Sequence, residues 1–366
     1  MDEEARTVYW IQARDASGAS PSLVLDSSKR YLFSSRPKNG TLTRYSFGPN
    51  YALLDEGTMD IPAACHTTSF SSLHLTNADY NTGIWGTAST GTCSVLFGVT
   101  TDGYTQLRSN EIAGDVHSLA WGSSGRSLHA LDSHSSTTAM TSIVNFRISD
   151  NPDLEDIIAT SILANVSDAS QIVSHPTSDR LYVVTKGTNE LISIEAQENA
   201  NSSARTAALS RYKLIPTSLD ASQFHTSSLA TSSSKDTLWT LSQSKTQAII
   251  TAFSLNTTTG EIITAAARAS WSGLGDGQIT AAPFAGGNVI AITNSPAGYV
   301  TLLGLDSGVA AAAQDDDTAK GHEYLEYMDL GRSGAAGSRQ LAPKIKSYGR
   351  TMLDEFIDVG ESVWVD

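Results

Sequence analysis

Residues 170–189 read SQIVSHPTSDRLYVVTKGTN: an apolar strand, a tight turn at His-Pro-Thr-Ser-Asp, a second strand LYVVT and a polar exit. Two β-rich runs split by a small-residue turn describe a hairpin. The pattern recurs. LVLDSSKRYLFSS starts at Leu23, VHSLAWGSSGRSLHALDS at Val116, FHTSSLATSSSKDTLWTLS at Phe224 and ITAAPFAGGNVIAITNS at Ile279. Each time a short apolar strand meets a Ser/Gly/Asp/Pro turn and then a second, more apolar strand. The chain is a repeat protein.

Working outward, each hairpin is followed by further strand-like runs. GTLTRYSF and ALLDEGTMDI complete the first unit, and a second unit opens near His66 with TGIWGTAST, CSVLFGVT and YTQLRSNEI behind it. The third unit adds SIVNFRIS and DIIATSIL, and the fourth ELISIEAQ and ALSRYKLI. The fifth adds AIITAFSL and residues 261–267, and the sixth YVTLLGLD and YLEYMDL. Unit starts lie roughly 45–55 residues apart, the period of four-stranded propeller blades. An unpaired strand RTVYWIQA at 6–13 and a half-unit EFIDVGESVWVD at the carboxyl end remain. Joined in one blade they would close a ring without exposed edges. The expectation is an all-β, seven-bladed β-propeller of antiparallel blades, one domain over 1–366, with a β-solenoid or a pair of sandwiches as alternatives. Residues 307–343, rich in Ala, Gly and Asp, break the rhythm and read as a surface insertion, either a lid or a tolerated loop.

Hydrophobic residues make up 40% of the chain and charged residues 17%, which suits short strands with many turns rather than charged helices. The formal charge is −14, a field that repels phosphate backbones and anionic membrane surfaces. No apolar run approaches the roughly 20 residues of a membrane span. The expected partner is therefore a small molecule, with neither nucleic acid nor membrane. The amino terminus, MDEEARTVYW, lacks the apolar core of a signal peptide, while sequons stand at Asn39, Asn165, Asn201 and Asn256. Secretion and a cytoplasmic location both stay open, the sequons inclining to secretion. Cys65 and Cys93 read equally as a disulfide or as two buried thiols, and no metal-ligand spacing occurs.

VHSLAWGSSGRSLHALD, HPTSDRLYVVTKGTN and VGESVWVD together resemble the lactonase-type seven-bladed propellers, and most of all their fungal carboxymuconate cyclase branch. The resemblance covers 116–366 well and the first hundred residues poorly. It implies a catalytic histidine at the opening of the third blade, where His117 stands. It also implies an arginine where Ser170 stands, a glutamate at Lys186 and a second arginine at Gln243. A tricarboxylate substrate needs fixed cations, and Ser or Gln does not imitate a bidentate arginine. The ancestral cyclisation is therefore read as lost and the cavity as kept.

In a propeller the innermost strands line a central channel, and ligands sit where those strands begin. On that premise His117, Lys186 and Gln243 are the expected catalytic groups. His66, Ser170, Gln171, Gln223, His225, Asp276 and Gln278 are the expected substrate contacts, with Phe224 or Trp271 as apolar walls and Asp132 on an adjacent loop. The set is polar and mostly neutral, suited to an uncharged organic molecule. His117 also reads as a satisfied core histidine, His175 as a turn residue, and Trp121, Trp239 and Trp364 as packing between blades. No Gly-x-Ser-x-Gly elbow supports a serine triad, and the acidic set that binds calcium in other propeller lactonases is not visible. The expected activity is a cofactor-free cyclase of small-molecule biosynthesis. Pericyclases that join a tropolone quinone methide to a terpene are the form the resemblance suggests, since an apolar cavity holding both partners supplies much of the rate. A carboxymuconate cyclase or lactonase, or a non-catalytic secreted glycoprotein, are the alternatives.

Overall fold

The computed structural model describes residues 22–26, 29–49, 52–63, 67–70, 72–75, 83–87, 93–100, 103–111, 116–125, 127–132, 141–148, 155–196, 205–206, 209–272, 277–283, 288–293, 299–306, 326–327 and 343–352. The expected strand at 6–13, the half-unit at 355–366, Cys65 and most of 307–343 lie outside the described residues.

Among the described residues six antiparallel sheets follow one another along the chain. The first holds β1 (Leu23–Leu25), β2 (Tyr31–Arg36), β3 (Thr41–Phe47) and β4 (Leu53–Asp60), paired in chain order. The second holds β5 (Ser72–Leu75), β6 (Gly83–Thr87), β7 (Cys93–Thr100) and β8 (Gly103–Glu111). The third comprises β9 (Val116–Trp121), β10 (Ser127–Asp132), β11 (Ser142–Ile148) and β12 (Glu155–Ile162). The fourth comprises β13 (Ala169–Ser174), β14 (Arg180–Thr185), β15 (Glu190–Glu195) and β17 (Leu209–Lys213). Between β15 and β17 the chain crosses over, and β16 (Arg205–Thr206) pairs in parallel with the outer edge of β12. The fifth sheet is β18 (His225–Thr231), β19 (Thr237–Gln243), β20 (Gln247–Leu255) and β21 (Ile262–Ser272). The sixth is β22 (Gln278–Ala281), β23 (Val289–Thr293), β24 (Tyr299–Asp306) and β26 (Lys344–Met352).

Two sequence expectations change here. The fourth strand of the sixth sheet is β26, not YLEYMDL. The described part of that run, β25 (Glu326–Tyr327), pairs with the outer edge of β21. The outer strand of the fifth sheet also runs to Ser272 rather than ending at Ala267.

The first strand of each sheet packs on the first strand of the next, in the order β1, β5, β9, β13, β18, β22. Those inner strands therefore form one continuous row, and sheet faces meet sheet faces. The sequence explains the fit. In β14 every residue from Leu181 to Thr185 is buried. Leu181 and Val183 point into a core shared with Ala120, Leu131 and Ile143 of the third sheet. Tyr182 and Val184 point the other way, into a core shared with Leu229, Leu238 and Phe253 of the fifth. A strand packed on both faces has no solvent side, so LYVVT is apolar without alternation. Trp239 and Leu241 likewise meet Ile290 and Ile292 between the fifth and sixth sheets. Each such aliphatic side chain contributes about 1.5–3 kcal/mol on burial.

Polar cross-links join the inner strands. Ile172 N–H donates to Ser118 Oγ at 3.1 Å, Leu229 N–H to Gln171 Oε1 at 2.7 Å, and Ile279 N–H to Ser228 Oγ at 2.9 Å. At the opposite end of the fourth and fifth sheets, Tyr182 donates its hydroxyl proton to Gly260 O and His175 Nε2 meets Lys235 O at 3.1 Å. Gly260 has φ +68°, and a Cβ there would stand 2.7 Å from Ser178 Oγ. Glycine is required for both conformation and space.

Candidate functional site

The inner strands begin where the second strands of the sheets end. The register places Val116 opposite Asp132, Ala169 opposite Thr185, His225 opposite Gln243, and Gln278 opposite Thr293. The topology therefore brings His117, Ser170, Gln171, Lys186, His225, Gln243 and Gln278 to one end of the sheet stack. His175 follows the far end of β13 and belongs to the opposite face.

Three successive inner strands carry an irregularity at this end. Ladder partners jump from Val116 to Ser118, from Ala169 to Gln171 and from Thr226 to Ser228. His117, Ser170 and Ser227 are thus the extra residues of one-residue bulges. A bulge bends its strand, interrupts the ladder and re-aims side chains, and bulges concentrate beside active sites. Glycine or proline did not mark these positions, so the hydrophobic pattern concealed them.

A hydrogen-bonded knot fixes the fourth and fifth sheets here. Ser170 Oγ faces Val184 O at 3.2 Å and Thr226 O at 2.8 Å. Asn189 is buried with φ 52°, a left-handed conformation that asparagine tolerates. Its Nδ2 reaches Gly187 O at 3.1 Å, Ala221 O at 3.1 Å and Phe224 O at 2.9 Å. Its Oδ1 accepts from Thr226 Oγ1 at 2.9 Å. Asp168 Oδ2 accepts from Gly187 N–H and, at 3.1 Å, from Thr188 N–H. Lys186 N–H donates to Asp168 O, and Lys186 O accepts from Thr226 N–H. The backbone of Lys186 is therefore held on both sides while the residue itself is exposed. The sequence reading overlooked Asn189, Asp168 and Thr226; the left-handed turn ending KGTN is the signal that could have pointed to the first.

Gln243 is fully buried at 0% exposure, and its Nε2 donates to Gly277 O at 2.9 Å. That carbonyl accepts only, so the amide is oriented with Oε1 turned away, and Oε1 has no hydrogen-bond partner. A Cβ at Gly277 would stand a tight 3.1 Å from Thr293 O, whereas its 3.5 Å distance from Gln243 Oε1 is ordinary contact. Gln278 Oε1 is a second buried oxygen without a partner. Phe224 packs with Ile215 and Ile249, and Trp271 is buried in the core between the fifth and sixth sheets. His225 is partly exposed at the start of β18. Gln223 is exposed on the 3-10 turn Ala221–Gln223, 3.5 Å from Asp220 Oδ2. Hydrogen bonds from the Ser222 hydroxyl and N–H hold that exposed Asp220 carboxylate below its usual range. His117 lies on β9, but its side chain, like all of His66 and Asp276, is outside the described residues.

No family model matches the chain, and no curated protein matches it by sequence. Solved structures do match by shape. The periplasmic gluconolactonase of Pseudomonas aeruginosa, PpgL, shares 14% identity with a TM-score of 0.57, over 92% of this chain and 89% of its own. A candidate 6-phosphogluconolactonase of Bacteroides fragilis NCTC 9343 shares 13% with a TM-score of 0.57, over 93% and 89%. The hydrazine synthase of Kuenenia stuttgartiensis shares 7% with a TM-score of 0.57, over 85% and 84%. Likeness at this identity establishes the fold, an all-β propeller.

Proposed function

We propose that the chain is a lactonase-type enzyme acting on a small, uncharged, hydroxyl-bearing lactone at the strand-start end of its propeller. The observation that carries this is the row of bulges at His117, Ser170 and Ser227, beside the unpartnered Gln243 oxygen. Hydrolysis adds water to the lactone carbonyl and breaks the ring C–O bond. The ring oxygen takes a proton, and a hydroxy acid leaves. His117 is the proposed general base and Lys186 the proposed cation toward the developing oxyanion. Gln243 is the proposed acceptor for a substrate hydroxyl. His66, Ser170, Gln171, Gln223, His225, Asp276 and Gln278 remain proposed contacts. A phosphorylated lactone would need fixed cations, and the two positions at which the resemblance implies arginine hold Ser170 and Gln243. The gluconolactonase neighbours favour this reading over the cyclase expected from sequence, although a pericyclase would use the same neutral face.

The proposal includes a closed ring of seven blades in one domain, with the strand at 6–13 and the half-unit at 355–366 supplying the seventh. It also includes passage through a secretory route, for which the exposed sequon residues Asn39, Asn165 and Asn256 speak.

The test is acid release from glucono-δ-lactone above its spontaneous rate, compared with its 6-phosphate. The unphosphorylated lactone should be preferred, and His117→Ala should lower kcat/KM by about 10²–10⁴. Absence of turnover, or an unchanged His117→Ala enzyme, removes the assignment. Rearrangement of a polyene or quinone methide without uptake of water would restore the cyclase.

A further inference from the structure

We infer that Arg268, Thr251, Thr240 and Ser270 form a second binding site, for a small oxyanion, in the crevice between the fourth and fifth sheets. It lies outward of the inner-strand starts and depends on neither the lactonase reading nor the closed ring.

The register sets these four residues on one face of the fifth sheet. Thr240 of β19 pairs with Thr251 of β20, and Thr251 pairs with Arg268 of β21. Ser270 stands two residues beyond Arg268 and pairs with Ile249, two residues before Thr251. Residues two apart on a strand, or directly across a ladder, share a face. The intervening Trp239, Leu241, Ile250, Ala267 and Ala269 pack toward the sixth sheet, so this row faces the fourth. On the same face Leu238 and Phe253 meet Tyr182 and Val184. Phe253 also lies edge-on to Tyr212, with ring centroids 6.0 Å apart. The polar row is thus set into an apolar interface.

Its hydrogen-bonding groups are unbalanced toward donors. Arg268 is half-buried, and its Nε–H donates to Thr251 Oγ1 at 3.0 Å. No carboxylate among the described residues forms an ion pair with it. Burial draws its pKa down, and no neighbouring charge offsets that. The guanidinium nonetheless stays a cation, and its terminal N–H groups can only donate. Thr251 Oγ1 already accepts from Arg268, so its own proton points to a further acceptor. Thr240 Oγ1 and Ser270 Oγ are buried and have no partner. Buried hydroxyls and desolvated cations left in this condition weaken a fold. The partner that completes the set is negative and rich in acceptors. A carboxylate or a phosphate fits, taking two parallel N–H···O bonds from the end of the guanidinium and hydroxyl protons from the threonines and Ser270. The chain's formal charge of −14 opposes anions at a distance, so holding one requires a fixed cation in a low-dielectric crevice.

Calorimetric titration of the full-length protein with inorganic phosphate and with acetate, at ionic strength held constant by chloride, tests this. One of the two should bind saturably, and the one preferred tells a tetrahedral oxyanion from a planar one. Arg268→Gln should weaken that binding about tenfold or more, and Arg268→Lys nearly as much, because lysine keeps the charge and loses the fork. Thr240→Val removes an unpaired hydroxyl, so the anion-free melting temperature should hold or rise while binding weakens. If Arg268→Gln does not fold, Thr240→Val and Ser270→Ala give the same reading. Absence of saturable binding to the wild-type protein overturns the inference. So does undiminished binding in a folded Arg268→Gln protein. The register also puts Glu326 of β25 opposite Ser270. Anion binding that emerges only in Glu326→Gln would make that carboxylate the resident counter-ion and would likewise overturn a site for an external ligand.

Discussion

Thr226 Oγ1 donates to Asn189 Oδ1 at 2.9 Å, and this bond ties the Lys186 turn of the fourth sheet to the inner strand of the fifth. Because the Thr226 proton goes to Asn189, the 2.6 Å contact with Ser242 Oγ has Ser242 as donor. The three carbonyl oxygens around Asn189 Nδ2 fix the amide the other way round. Every polar atom of the side chain is committed.

Asn189→Ala should therefore lower unfolding free energy by about 2–4 kcal/mol, from lost bonds, stranded carbonyls and the left-handed backbone. Asn189→Asp should cost at least as much, because its carboxylate would face Gly187 O, Ala221 O and Phe224 O. Asn189→Gly should recover about 1 kcal/mol of the loss, the portion owed to φ 52°. Urea denaturation reads all three. An alanine variant within about 0.5 kcal/mol of wild type would mean that water replaces the knot without penalty.

At the opposite end, His175 supplies a pH signature. Burial pushes its pKa below the ordinary 6.5, the Lys235 carbonyl pulls it back, and the charges of Lys235 and Arg180 push it further down. Folded His175 is thus neutral while the unfolded chain still takes up a proton. Its contribution is complete above pH 6.5 and is lost as pH falls through that value, by at most about 1.4 kcal/mol per unit. Asp236 acts in a separate window. Burial would raise its pKa, but hydroxyls of Ser234, Thr237 and Ser232 hold it below 3.8, so its contribution fails only in stronger acid. Thermal melts between pH 7.5 and 5 should fall for the wild type and flatten in His175→Asn. Equal slopes would show that another group titrates there.

How far the sequence carried can be argued from these residues. LYVVT declared its strand, while its unbroken apolar run is explained only by the packing, because a strand between two sheets must be apolar on each side. The site was legible only as a level. Inner-strand starts could be listed from the repeat, and the topology puts His117, Ser170, His225 and Gln278 at one end, with Gln243 at the close of β19 beside them. Asn189 escaped because two of its partners, Ala221 and Phe224, lie 32 and 35 residues away in the connection to the next sheet, and no local pattern encodes those contacts. The sixth sheet was misassigned for a related reason. YLEYMDL and the β26 run KIKSYGRTM are both plausible strands, and only packing against β24 chooses between them.

Gln243 allows the proposed chemistry to be separated from simple structure. Its donor side is engaged by Gly277 O, while its acceptor side is buried and unpaired, which by itself destabilises the fold. Gln243→Leu removes the orphaned oxygen and one hydrogen bond together, so stability should shift by no more than about 1 kcal/mol. Gln243→Glu places a charge at a fully buried position and should cost about 3 kcal/mol or more. Should Oε1 accept a substrate hydroxyl, Gln243→Leu would raise the Kd or KM for glucono-δ-lactone about tenfold at near-constant stability. That combination distinguishes a ligand contact from a packing residue, since a packing residue loses stability and leaves affinity alone. An unchanged Kd in a stable Gln243→Leu protein would take Gln243 out of the site and leave recognition to the bulged row at His117, Ser170 and Ser227.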